Sequence, residues 1–225
     1  PSETPIAKIG HNLPNFTPAS RHPAAWGEVP GSPPGRKEED FMTPAQMRER
    51  LTEILRTESV KRGDFVLASG RRSNYYLDCR RTTLHPEGAY LCGNLILDAL
   101  RRRGWQPVAV GGLTLGADPL ATAAAVVSHL EGRPVSAFLV RKEAKAHGTG
   151  QQIEGAPGAG SPVVLVEDVI TTGGSTLIAR DACRAAGFPV LGVVALVDRE
   201  EGGRAALEEQ GLAVEALFTA RDLLG

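Results

Sequence analysis

Downstream of residue 41, short apolar runs alternate with segments whose apolar residues recur every three or four positions. The runs at 108–110, 135–140, 163–166, 190–197 and 214–218 are rich in valine and predict strands. Helical patterns fall between several of them, at about 119–130, 175–186 and 203–210. Short continuous apolar strands separated by helices imply βαβ units and a parallel sheet covered on both faces. Upstream, Thr43-Pro44-Ala45-Gln46 reads as a helix start with a capping box and a proline at the first position. Met47, Leu51, Ile54 and Leu55 then share one face. Two β-prone runs, 64–68 and 74–79, flank a Gly-containing turn and suggest a hairpin. Residues 86–103 read as a further helix, with Pro86 near its start and Gly104 after its end. The fold class expected is therefore α/β.

The pattern fails in the first 40 residues, which hold eight of the 16 prolines and no apolar period. They predict an extended or disordered lead, although Phe16 and Trp26 could anchor it as a strap. Residues 41–225 form one domain in this reading, with a hairpin region at about 60–80 and a core at about 86–225. The chain has 225 residues, 42% of them hydrophobic, enough for one sizeable core. Its formal charge of −1 offers no basic field for nucleic acid or an anionic membrane. No apolar run approaches the roughly 20 residues of a membrane helix, and the start lacks the pattern of a signal peptide. Cys79, Cys92 and Cys183 form no CxxC pair, so neither zinc nor a disulfide framework is indicated. A reducing, cytoplasmic setting is expected.

Ligands of open α/β sheets bind beyond the carboxyl ends of the strands, so the residues just after each run are the candidates for chemistry. After 163–166 come Glu167-Asp168-Val169-Ile170-Thr171-Thr172-Gly173-Gly174-Ser175-Thr176, then a helix. Backbone N–H groups at a helix start bind phosphate, and glycines let the backbone approach it. Thr171, Thr172, Ser175 and Thr176 add hydroxyl donors. Ionised Glu167 and Asp168 only accept hydrogen bonds, so they suit a diol rather than a phosphate. The ligand implied carries a phosphate at one end and vicinal hydroxyls beside it, a ribose 5-phosphate. The run lacks the Lys of a Walker A loop and the dinucleotide fingerprint.

After 135–140 stand Arg141, Lys142, Glu143, Lys145 and His147, followed by five glycines and a proline within 148–160. This composition predicts a mobile cationic loop on the ligand-binding rim, suited to neutralising a leaving group and excluding water.

The run from Glu167 to Ser175 resembles the phosphoribosyl-pyrophosphate (PRPP) motif of the type I phosphoribosyltransferases. Arg141 with Lys142-Glu143-x-Lys145-x-His147-Gly148 resembles the catalytic loop of the orotate phosphoribosyltransferase family. Residues 65–76 are similar to that family's N-terminal hood, and 111–120 to its diphosphate-contacting loop. The resemblance covers about residues 43–225 and implies a parallel sheet flanked by helices with a small hood.

It also implies the reaction orotate + PRPP → orotidine 5′-phosphate + diphosphate. Lys142, Lys145, His147 and Asp168 would be catalytic. PRPP would meet Arg141, Lys142, Lys145, His147, Glu167, Asp168, Val169, Ile170, Thr171, Thr172, Gly173, Gly174 and Ser175. Orotate would meet Thr171, Arg199, Tyr75 and Tyr76; a guanidinium can grip its carboxylate bidentately. Mg²⁺ would be carried mainly by PRPP, with no dedicated protein site. The resemblance further implies a homodimer with shared active sites. Some family members place a PRPP-contacting Lys where Ala68 or Gly116 stands, so those contacts must be missing or replaced here. A purine or uracil phosphoribosyltransferase would share the phosphate loop without the cationic loop and the Asp198-Arg199 strand end, whereas a PRPP-sensing regulator that binds RNA or DNA would want a basic face or an added DNA-reading domain.

Overall fold

The computed structural model describes residues 42–66, 72–143 and 152–225. Helix α1 (Pro44–Ile54) begins on the expected capping box. Gln46 N–H donates to Thr43 Oγ1 at 3.3 Å, and Thr43 N–H donates to Gln46 Oε1 at 2.8 Å. A π-helical turn, Leu55–Ser59, leads into β1 (Val60–Val66), antiparallel to β2 (Arg72–Leu77). Strand β1 begins at Val60 rather than 64, because its charged first half faces solvent and carries no apolar alternation. The tip of the hairpin, including Ala68, lies outside the described residues.

Next come α2 (Arg80–Thr83), too short to leave a periodic signal, and α3 (Pro86–Arg102), whose first turn is capped by His85. The body continues as β3 (Ala109–Leu113), α4 (Ala117–Leu130), β4 (Ser136–Val140), β5 (Ile153–Glu154) and β6 (Val163–Ile170). It closes with α5 (Gly174–Ala185), β7 (Val190–Asp198), α6 (Gly203–Glu209), β8 (Val214–Thr219) and α7 (Ala220–Leu224). The strands form one six-stranded sheet in the order β5-β4-β3-β6-β7-β8. All neighbours are parallel except β5 against β4.

Alternate residues of the central strands feed two cores, as a sheet buried on both faces requires. Val164 and Val166 of β6 and Val194 and Leu196 of β7 pack with Leu51, Leu95 and Leu120 from α1, α3 and α4. Val163, Leu165, Val193 and Ala195 point the other way, toward Ala179 and Cys183 of α5 and Leu207 of α6. The three cysteines are free and buried. No helix among the described residues is long and apolar enough to cross a membrane.

Two expectations need correction. The glycine-rich stretch 148–160 is not loop throughout, since Ile153 and Glu154 pair with Val140 and Leu139 as an edge strand. Strand β6 does not end at the two acids but runs past them, because pairing with β7 continues to Ile170↔Asp198. Pairing with β3, by contrast, stops at Gly111↔Leu165. The chain order reverses at this pair of strands, and their divergence opens a crevice at their carboxyl ends.

Candidate active site

The crevice is a cleft of about 780 Å³. Its walls come from the end of β2 (Leu77, Asp78, Cys79), Arg80, the β3–α4 turn (Thr114, Leu115, Gly116), the end of β4 (Arg141, Lys142), β6 with its adjoining loop, and Arg199. Five segments distant in sequence converge there because each ends a strand on the same side of the sheet or hairpin.

The floor is Glu167 and Asp168. Glu167 is 6% exposed, and its Oε2 accepts from Thr176 Oγ1 at 2.9 Å. Desolvation raises its pKa most, and the neighbouring Asp168 charge adds to that; the Thr176 hydroxyl opposes both. Burial likewise raises the pKa of Asp168, whose Oδ1 accepts from Val169 N–H at 2.9 Å. An acceptor pair pushed toward neutrality in this way is relieved by ligand hydroxyls that donate to it. Thr176 is therefore committed to Glu167 and is not the phosphate donor expected.

The phosphate cradle is the turn from Val169 into α5. Gly173 caps that helix at φ +82°, a left-handed conformation that costs glycine little. No side chain caps the helix, so its first-turn N–H groups are left for an anion. Val169, Thr171 and Ser175 line the cleft. Ile170 is 1% exposed and belongs to the core, so its side chain is withdrawn from the ligand. Thr172 and Gly174 are exposed beside the cleft-lining residues, and Gly173 is buried.

Beside the start of that turn Arg199 is buried, with its backbone N–H donating to the Ile170 carbonyl at 3.0 Å and its Nε donating to Glu201 Oε1 at 2.8 Å. Its guanidinium lies over the Tyr75 ring, 4.7 Å from the centroid. Its Nη2 is buried without a hydrogen-bond partner, an arrangement that a bound carboxylate would complete. Asp198 and Glu200, the acids adjacent in sequence, do not make this pair. Tyr75 thus reaches the site through Arg199, whereas the Tyr76 ring pairs with Phe65 at 5.7 Å between centroids and does not line the cleft.

Arg141 and Lys142 stand on the rim. Arg141 is held by Glu154 at 3.0 Å and by Gln152, whose Nε2 donates to the Arg141 carbonyl at 2.9 Å. Arg141 is thereby tied to residues 152–154. Lys145 and His147 lie outside the described residues. Arg80 was not singled out by sequence reasoning, because an arginine in a four-residue helix resembles a solvated surface charge.

No family model matches the chain. It is 47% identical over 176 residues to the orotate phosphoribosyltransferase of Rhodopirellula baltica, covering 76% of this chain and 91% of that one. It is 46% identical over 180 residues to that of Aquifex aeolicus, covering 79% and 97%. Among solved structures, Mycobacterium tuberculosis orotate phosphoribosyltransferase in complex with PRPP superposes with a TM-score of 0.67 at 42% identity. That match covers 79% of this chain and 98% of the other.

Proposed function

The chain belongs to the orotate phosphoribosyltransferase family, and we propose that the cleft between β3 and β6 is its active site. The fold is that of the type I phosphoribosyltransferases. The enzyme is a pentosyltransferase: it moves the ribose 5-phosphate of PRPP to orotate, giving orotidine 5′-phosphate and diphosphate in pyrimidine biosynthesis.

In our reading the 5′-phosphate sits in the amide cradle from Thr171 to Ser175, with Thr172, Gly173 and Gly174 contributing backbone. The ribose hydroxyls donate to Asp168 and Glu167. As the C1–O bond to diphosphate breaks, positive charge builds on the sugar and negative charge on the leaving group. Ionised Asp168 stabilises the first; Arg141, Lys142, Lys145 and His147 neutralise the second. Arg199 and Thr171 hold orotate so that its ring nitrogen faces C1, and that nitrogen loses its proton as the new C–N bond forms. Tyr75 supports Arg199 from the hood. The single observation that carries this reading is Arg199, which lines the same cleft as the cradle and has a buried, unpartnered Nη2.

Mg²⁺ fits as an ion that PRPP would bring with it, since it keeps few protein ligands in phosphate sites. Among the described residues no group of three or more His, Cys, Asp or Glu side chains could hold a metal. When bound, the ion would offset part of the diphosphate charge.

A homodimer is supported by an apolar surface formed by α3, α4 and the turns that precede them, where Leu84, Tyr90, Leu115, Val126 and Leu130 are exposed. Its groove shares Arg80 and Leu115 with the cleft, so a second copy seated there would lie beside the active site. We read the location as cytoplasmic and the partners as small molecules, with no nucleic acid or membrane. Residues 1–40 are proposed as a lead outside the catalytic domain 41–225.

The deciding experiment is orotate-dependent release of diphosphate from PRPP, with and without Mg²⁺. Release is expected only with orotate and the metal; turnover of a purine in place of orotate would overturn the assignment.

A further inference from the structure

We propose that Arg80 binds the diphosphate moiety of PRPP and of the product, an inference that rests on the active-site reading above. Arg80 is the first residue of α2 and lines the cleft on the wall beside Thr114, Leu115 and Gly116. That wall faces the carboxylates of β6, and the charge of Asp168 is felt at Arg80.

The other described cations of the cleft are placed for different tasks. Arg199 is buried against Glu201 and Tyr75. Arg141 and Lys142 stand at the end of β4, where Arg141 is paired with Glu154. The β3–α4 turn carries no cation of its own. Nor can it readily gain one at Gly116, where an ideal Cβ would clash with the Asp168 carboxylate. Arg80 therefore supplies the positive charge of that wall.

Its geometry suits the task. Nε donates to Asp78 Oδ1 at 2.9 Å, which fixes the plane of the guanidinium, and the side chain is 48% exposed. A guanidinium anchored through one edge can offer the other to two phosphate oxygens at little cost in rotamer entropy. A leaving group that gains charge as C1–O breaks needs several cations, and Arg80 lines the same cleft as Arg141 and Lys142 but comes from a different segment. Asp78 is then a positioning residue.

The test uses Arg80→Gln and Arg80→Lys in the full chain, with Arg81→Gln as a control. Arg81 is adjacent but pairs with Glu58 and does not line the cleft. Calorimetry with inorganic diphosphate measures the site directly, whether or not turnover is seen. Arg80→Gln should weaken diphosphate binding and raise KM for PRPP by about tenfold, the scale of one charged hydrogen-bonded contact. Arg80→Lys should recover part of the loss, and Arg81→Gln should show none. KM for orotate and the affinity for orotidine 5′-phosphate, which lacks the diphosphate, should not move.

Unchanged diphosphate affinity in Arg80→Gln overturns the inference. So does equal weakening of diphosphate and orotidine 5′-phosphate, which would place Arg80 in the general architecture. A change in sedimenting mass with diphosphate affinity intact would assign Arg80 to the apolar surface instead. If the wild type binds diphosphate through Arg80 but does not turn over orotate, only the reading of the reaction fails.

Discussion

Thr176 Oγ1 donates to Glu167 Oε2 at 2.9 Å, and both residues are buried beneath the cleft. The hydroxyl favours ionised Glu167, but desolvation and the adjacent Asp168 outweigh it and push the carboxyl up to about 8. The phosphate-loop helix and the acidic floor are thereby joined through one hydrogen bond, so a ligand that ionises Glu167 also acts on the first turn of α5.

This pair makes stability depend on pH, and the sign is fixed. A carboxyl whose folded-state pKa lies above its unfolded value holds its proton longer in the native state. Its contribution to stability is full below the unfolded value near 4.5 and is lost as pH rises toward about 8. The melting temperature of the ligand-free protein should fall across that window, and Glu167→Gln should flatten the decline. In the proposed site the ribose hydroxyls of PRPP donate to the carboxylates, so PRPP should bind with net proton release near neutral pH. Calorimetry in buffers of different ionisation enthalpy reads the proton count; net uptake would remove Glu167 and Asp168 from the ribose site.

Gly116 predicts a second outcome. Its missing Cβ is the space in which the Asp168 carboxylate rests. Gly116→Ala must displace that carboxylate, because the Asp168 side chain is short and its Oδ1 is also tied to Val169 N–H. A misplacement of about 1 Å in a reacting geometry can cost on the order of 10²-fold. Steady-state kinetics should show kcat/KM for PRPP falling on that scale, with the melting temperature nearly unchanged. Near-normal kinetics would mean that Asp168 need not occupy its observed place.

The sequence made the sheet legible because each central strand is a continuous apolar run, and made the phosphate cradle legible because its parts are contiguous from Glu167 to Ser175. What escaped it depends on partners elsewhere. The true end of β6 is set by pairing with β7, not by its own polarity. Strand β5 exists because Ile153 finds Val140. The choice of Glu201 for Arg199, and of Phe65 for Tyr76, is decided by side-chain packing within the folded site and hood. Arg80 enters the cleft only once the hairpin and the β3–α4 turn are brought together.

Arg199 predicts how orotate is recognised. Arg199→Lys keeps one positive charge but cannot bond Glu201 and a bound carboxylate through a planar fork. KM for orotate should rise by about ten- to a hundredfold, the worth of one or two charged hydrogen bonds. KM for PRPP should stay close to wild type. Equal loss for both substrates would point to collapse of the packing against Tyr75 rather than to a base contact.

The proposed homodimer predicts complementation. If the cationic loop of one subunit serves the neighbour's cleft, Lys145→Ala and Asp168→Ala damage different halves of each shared site. Alone, Lys145→Ala should lower kcat by at least about 10²-fold, as removal of a transition-state donor does. In a mixed dimer, one site receives an intact loop and an intact Asp168, while the other carries both substitutions. Equal mixing makes half of the dimers mixed, so specific activity should recover to about a quarter of wild type. The partner surface can be checked in the same preparation. Leu130 and Val126 are exposed on α4 and lie in the groove that shares Arg80 and Leu115 with the cleft. Introducing a charge at Val126 should reduce the sedimenting mass to that of one chain and abolish the recovery together. Recovery that survives in single chains would contradict loop sharing, because no subunit would then have a neighbour to supply Lys145.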